Sequence, residues 1–307
     1  MPFLRYQNYN PQRDARILIN LANEILEEFE SLGYKLTLRQ LYYQMVSKDA
    51  IPNNQRSYDK LGNIVSRARD AGMIDWDHIE DRTRIVQSHP HWGDGADFMR
   101  NVVPQFRLDL WKGQETRVMV FVEKQALEQV VGRPSMKWDI PYFANKGYLS
   151  SSAAWNVARN MMLLNDDSCN DWVILHLGDH DPSGIDMSRD IEERLNSYSR
   201  LSQEDIDNGF SQIEIEVRRI ALNMDQVREY EPPPNPAKRV DPRFGEYQDK
   251  FGDESWELDA LRPSVITSLI DDQVESIVDY DLWEERRVLQ GQIRTQLLED
   301  AGIEEED

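Results

Sequence analysis

The sequence predicts an α/β protein in which a helical unit precedes an open sheet and an acidic helical region follows it. Two apolar runs, Val118 to Val122 and Trp172 to Leu175, are short and end on acidic or turn residues, as buried strands do. A change of pattern frames them: apolar residues recur at helical spacing over the first 70 residues, and acidic residues crowd the chain after 201. The expected divisions are 1–90 (helical), 91–115 (connector), 116–225 (sheet) and 226–307 (proline-rich loop and acidic helices).

With 307 residues the chain is long enough for two domains and a sizeable core. Apolar residues make up 40% and charged residues 30%, the balance of a folded soluble protein. No apolar run approaches the roughly 20 residues that span a bilayer, and the N-terminus lacks the pattern of a signal peptide. Cys169 is the only cysteine, so neither a disulfide framework nor a cysteine zinc site is expected. These features point to a cytoplasmic protein with no membrane partner. The net charge of −21 weighs against a nucleic-acid partner, but it is unevenly spread. Residues 1–200 hold 24 Lys+Arg against 28 Asp+Glu, whereas residues 201–307 hold 11 against 28. A locally basic face therefore remains available in the first two thirds.

Taken in order, residues 13–32 place Ile17, Leu18, Leu21, Ala22, Ile25, Leu26 and Phe29 on one helical stripe that Gly33 ends. Thr37 is the expected N-cap of a second helix bearing Leu38 to Val46, bounded by Pro52. A third starts near Ser57 and stops at Gly72, with Lys60, Arg67 and Arg69 as a basic side. Met73 to Arg84 reads as a short wing. Three helices and a wing suggest a winged helix-turn-helix whose third helix meets a DNA groove, and the same pattern also fits a plain three-helix bundle.

The connector, 87–114, carries a short helix near Asp97–Val103, and its His89 and His91 read as surface residues. The first strand ends at Glu123. Pro141 to Arg159 reads as a strand followed by a helix, with Asn145-Lys146-Gly147-Tyr148 between them. The second apolar run leads into Gly178-Asp179-His180-Asp181-Pro182-Ser183-Gly184. Asp179 and Asp181, at i and i+2, face one side if the backbone is extended, and such a pair invites a cation. Magnesium takes carboxylate oxygens of this kind, and His176 and His180 are poor ligands for it. An Asp N-cap on a following helix is the plainer reading. Further on, a helix is expected over Ile191–Tyr198 and a half-buried strand over Ser211–Val217. The prolines of Glu231–Lys238 enforce an extended segment, and Pro263 opens helices over Ser264–Tyr280 and Leu282–Ala301 before a solvated tail at Glu304–Asp307.

A strand ending in Glu and a later strand ending in Asp-x-Asp resemble the Toprim domain of topoisomerases, primases and some nucleases. Asn145-Lys146-Gly147-Tyr148 resembles the GKGY turn, and Asp181-Pro182-Ser183-Gly184 the DPYG, of the topoisomerase VI A subunit and the meiotic double-strand-break transesterase. Thr37 to Gln44, TLRQLYYQ, resembles the (S/T)xRxxYY segment of the same family. The resemblance covers about residues 35 to 190. It implies a Rossmann-like Toprim sheet with Glu123, Asp179 and Asp181 as magnesium ligands. It also implies Tyr43 as the nucleophile that becomes linked to DNA 5′ ends, and Arg39 beside it. Lys60, Arg67, Arg69 and Lys146 are the expected DNA contacts. The family arrangement further implies a homodimer, in which the tyrosine of one protomer works with the metal site of the other, and an ATPase (B-type) partner subunit, since no P-loop is present here. Trp256-Glu257-Leu258-Asp259-Ala260-Leu261 resembles the late KAExxAL segment but lacks its lysine, and no catalytic role is assigned there. Two alternatives stay open: a Toprim nuclease using metal-activated water, and a non-catalytic DNA-binding assembly protein.

Overall fold

The computed structural model describes residues 3–80, 89–165, 169 and 171–303. Three helices come first, α1 (Arg13–Ser31), α2 (Leu38–Ser47) and α3 (Gln55–Asp70). The stripe on α1 buries Leu18, Ile19, Ala22, Ile25, Leu26 and Phe29 against Leu41, Met45, Leu61 and Val65. Gly33, at φ 78°, ends α1, and a capping box starts α2: Gln40 Oε1 accepts from the Thr37 backbone N–H at 2.9 Å. Helix α3 starts at Gln55, two residues before the expected Ser57, because Asn54 caps it, its side chain accepting from Ser57 N at 2.9 Å. After Gly72 the chain to residue 80 is turns and bends, joined to Leu36 by one isolated bridge at Ile79. The rest of the expected wing, 81–84, lies outside the described residues, as does the expected tail at 304–307. The connector carries α4 (Gly95–Val102).

The chain is an α/β protein built on a parallel sheet. Strands β1 (Thr116–Val122), β2 (Tyr142–Ala144), β3 (Asp171–Leu177) and β4 (Glu214–Ala221) lie in the order β2-β1-β3-β4. The last of them runs to Ala221, four residues past its expected end, because Arg218–Ala221 continues the pairing with β3. Between the strands come α5 (Glu128–Trp138), α6 (Ser151–Leu164) and α7 (Pro182–Tyr198), followed by the short α8 (Gln203–Asp207). Val118, Val120, Val173 and Leu175 face α5, while Met119, Phe121, Trp172 and Ile174 face α6 and α7. So the connection leaving β1 goes to one face, and the connection leaving β3 goes to the other. The crevice between the carboxyl ends of β1 and β3 is the switch point where open α/β sheets gather ligands.

After β4 come α9 (Met224–Tyr230), β5 (Asn235–Pro236), α10 (Phe244–Phe251), β6 (Glu254–Ser255), α11 (Pro263–Glu275) and α12 (Tyr280–Asp300). The proline segment is extended as expected, and β5 pairs with β6. Helix α11 ends at Glu275, five residues before its expected end, and α12 starts at Tyr280 on an Asp279 cap. Far from being an appendage, α11 completes the layer beside α5. Its Ile266, Ile270 and Val274 are fully buried, each worth roughly 2 kcal/mol.

Candidate active site

At the switch point Glu123 lies against the turn that carries Asp179 and Asp181. Glu123 follows β1 and donates its N–H to Leu177 O, continuing the ladder by one residue past the strand. Its Oε2 accepts from Asp179 N at 2.9 Å, across the two strand ends. Asp181 is the N-cap of α7: its Oδ1 accepts from Gly184 N at 2.6 Å, as the plainer reading of this aspartate expects. Gly184 lets helix and acidic turn close up, since a Cβ there would come 2.2 Å from Asp179 O. Beneath the turn lies Arg219 of β4, donating to the carbonyls of Gly178, Asp179, Gly184 and Leu222 at 2.7–3.1 Å. Burial pulls this guanidinium down to about 10, against the pull of Glu123, Asp179 and Asp181.

Negative charge is in surplus here. Burial lifts the Asp179 carboxyl to about 7; Lys124 opposes this, and Glu123 and Glu257 add to it. Burial likewise raises Glu123, with the Asp179 N–H opposing and Asp181 adding.

The segment Trp256–Leu261 joins this turn to the tyrosine helix. Trp256 and His180 exchange backbone hydrogen bonds at 2.8 and 3.0 Å, and Leu258 N donates to Asp179 Oδ1 at 2.8 Å. That places Glu257 and Asp259 beside Lys124, whose Nζ lies 3.0 Å from Asp179 Oδ2, 3.1 Å from Asp259 Oδ1 and in contact with Glu257. Burial works against the Lys124 ammonium, but Asp259, Asp179 and Glu257 outweigh it and hold its pKa far above the ordinary lysine value. From the other side Arg39 donates to Asp259 Oδ2 at 2.8 Å, to Glu257 Oε2 at 2.6 Å and to the Tyr43 hydroxyl at 3.3 Å. A continuous chain of polar contacts thus runs from Tyr43 through Arg39, Asp259 and Lys124 to Asp179 and Glu123, all within one chain. Tyr43 is only 5% exposed. Burial, then Asp259 and Glu257, pushes its pKa up to about 12, against Arg39 and Lys124.

The expected DNA contacts separate into two kinds. Lys60 and Arg67 are exposed on α3, and Arg67 covers the Tyr9 ring at 4.2 Å. Lys146 is exposed too, in a left-handed turn (φ 51°) with Gly147 (φ 92°). Arg69 instead turns inward: it holds the carbonyls of Trp76 and Ile79 at 2.8 and 3.0 Å and stacks on Trp76. His89 and His91 are exposed, as expected of that loop. His176 and His180 are buried, bonded to Ser188 at 2.8 Å and Tyr247 at 2.7 Å respectively.

Sequence reasoning missed Lys124, Arg219, Glu257 and Asp259. For Glu257 and Asp259 the signal was the resemblance of Trp256–Leu261, set aside for want of its lysine. Lys124, just past the end of β1, contacts both of these carboxylates.

Among the described residues, no three His, Cys, Asp or Glu side chains converge as they stand in metal-ligating geometry. Each carboxylate already has an oxygen engaged, by Lys124 and Leu258 N at Asp179, by Gly184 N at Asp181 and by Asp179 N at Glu123. The donor chemistry nonetheless fits a hard divalent cation, being all-oxygen and anionic, with Lys238 Nζ 3.7 Å from Asp181 Oδ2 as a further cation at the turn. No family model matches this sequence, and no curated protein matches it.

Proposed function

We propose that the protein cleaves DNA by magnesium-dependent transesterification, with Tyr43 as the nucleophile, in the manner of the topoisomerase VI A subunit it resembles. One observation carries the reading: the tyrosine and the acidic turn, 136 residues apart in sequence, belong to one network of contacts through Arg39, Asp259 and Lys124. In the proposed reaction the Tyr43 oxygen bonds to a backbone phosphorus and the bond from phosphorus to the 3′ oxygen breaks. The net course moves the phenol proton to the departing 3′ oxygen and leaves the 5′ phosphate on the tyrosine. Arg39 orients the hydroxyl and favours its anion, which burial otherwise disfavours. Glu123, Asp179 and Asp181 would hold magnesium, which supplies charge neutralisation at the phosphoryl oxygens.

The N-terminal helices, read as a winged-helix unit, would present α3 to DNA, with Lys60, Arg67 and Lys146 at phosphates and Arg69 as an internal brace. Double-strand cleavage calls for a homodimer, and strand passage for an ATPase partner subunit. Such a protein would act in the cytoplasm.

A second reading is favoured by the burial of Tyr43: a nuclease in which metal-activated water attacks and the tyrosine only packs. End-labelled supercoiled DNA incubated with magnesium, denatured and probed with protease separates the two. Protein-linked 5′ ends that vanish in Tyr43→Phe support transesterification. Free ends from both wild type and Tyr43→Phe, lost in Asp181→Asn, would replace it with the nuclease, and DNA binding without cleavage would point to an assembly protein.

A further inference from the structure

Among the described residues, Lys124 is the cation that contacts carboxylates of both the acidic turn and the Trp256–Leu261 segment. Its side chain is 18% exposed, and its ammonium contacts Asp179, Glu257 and Asp259 at once. Asp179 is the shared group: its Oδ2 faces Lys124, while its backbone N–H is bound by Glu123. Two-metal phosphoryl-transfer sites have the same plan, with ions about 4 Å apart bridged by a common carboxylate. Here Asp179 Oδ2 already faces a cation that is part of the chain.

We propose that Lys124 stands in for a second divalent ion, so that the centre takes a single exchangeable cation, at Glu123, Asp179 and Asp181. The inference rests on the magnesium reading above and adds to it a stoichiometry and a residue role. Three carboxylates within contact of one ammonium are the ligand set that a second ion would use if the ammonium were removed. The placement is also directional. Glu257 and Asp259 are the partners of Arg39, which donates to Tyr43, so the lysine sits on the tyrosine side of the centre. A lysine there carries one charge where a metal carries two, and unlike a metal it cannot be removed by a chelator.

The test counts Mn²⁺ by electron paramagnetic resonance on the full chain, with no turnover involved. Wild type is expected to bind one ion per chain even at millimolar Mn²⁺, and Lys124→Met and Lys124→Gln to bind two. Adding Asp259→Asn to Lys124→Met should return the count to one, and Lys124→Arg should keep it at one. Two ions on the wild type would overturn the proposal while leaving the magnesium reading in place, and this measurement needs no variant to fold. One ion on both folded neutral variants would overturn it in the same way. No ion on the wild type, with Asp181→Asn indistinguishable from it, would overturn the metal reading and this inference together.

Discussion

A phenol that attacks phosphorus must give up its proton, and Tyr43 is set against doing so in the resting protein. Burial and the charges of Asp259 and Glu257 push its pKa up to about 12. Tyr43→Phe removes one 3.3 Å hydrogen bond and keeps the ring against Tyr42, so unfolding free energy should change by less than about 1 kcal/mol. Protein-linked 5′ ends should nevertheless disappear; a denaturation curve beside the cleavage gel checks both halves. His176 provides a pH test that does not depend on cleavage. Burial, then Arg219, lowers its pKa to about 3, against about 6.5 in the unfolded chain. The unfolded state therefore binds the proton first, and the stability this residue contributes is present above pH 6.5 and lost as pH falls toward 3. Between pH 6.5 and 4.5 the loss is about 2–3 kcal/mol. Asp179 and Glu123, with raised pKa values, slope the other way, so the informative quantity is the difference between wild type and His176→Asn in urea at each pH. A difference that does not change with pH would show His176 to be charged or exposed. At this scale the acidic trio, Tyr43 and Arg39 were legible in sequence because each sits on a short motif. Arg219 was not: in Glu214-Ile215-Glu216-Val217-Arg218-Arg219 it looks like one more solvated charge, and only the turn packed over it makes it internal.

Elements carry the site through two close fits. The first is between α7 and the acidic turn, where Gly184 leaves no room for a Cβ. Gly184→Ala must move the Asp179 backbone, costing about 1–3 kcal/mol of stability and weakening Mn²⁺ binding at least tenfold, read by thermal melts and by titration. Unchanged affinity would mean that Asp179 is not a ligand. The second is α3, whose basic residues looked equivalent in sequence because helical spacing does not say which long side chains fold back. Arg67→Ala should lower the salt slope of DNA binding by about one phosphate contact. Arg69→Ala should leave that slope alone but lose about 1–3 kcal/mol of stability, since the carbonyls of Trp76 and Ile79 lose their donor. If the two variants shifted the slope alike, Arg69 would be a phosphate ligand after all. Strand and helix positions were readable, β1 and β3 from their apolar runs, α1 from its apolar period and α11 from Pro263. The partner of each was not, because α11 packs beside α5 from 125 residues away in the chain.

Over the whole molecule the expected divisions prove more closely stitched than sequence suggests. Tyr34 bonds Thr267 at 3.0 Å, Asn53 bonds Asn235 at 2.9 Å, and Arg39 reaches Glu257 and Asp259, so the tyrosine helix is docked on the sheet unit of its own chain. Two residues of the acidic last third, which weighed against a DNA partner, are in fact built into the centre. This docking bears on how a homodimer would divide the work. The family resemblance implies a tyrosine acting on the partner's metal site, whereas the contacts here join Tyr43 to the acidic turn of the same protomer. Two mixing experiments with hybrid dimers give opposite answers. Tyr43→Phe paired with Asp181→Asn leaves no complete site if each chain serves itself, and one complete site if the parts are exchanged. Wild type paired with a chain carrying both substitutions leaves one site in the first case and none in the second. From the contact chain Tyr43–Arg39–Asp259–Lys124–Asp179 we expect nicking from the second hybrid only. Nicking from the first hybrid, and none from the second, would show that the tyrosine leaves this docked position and crosses to the partner before it attacks.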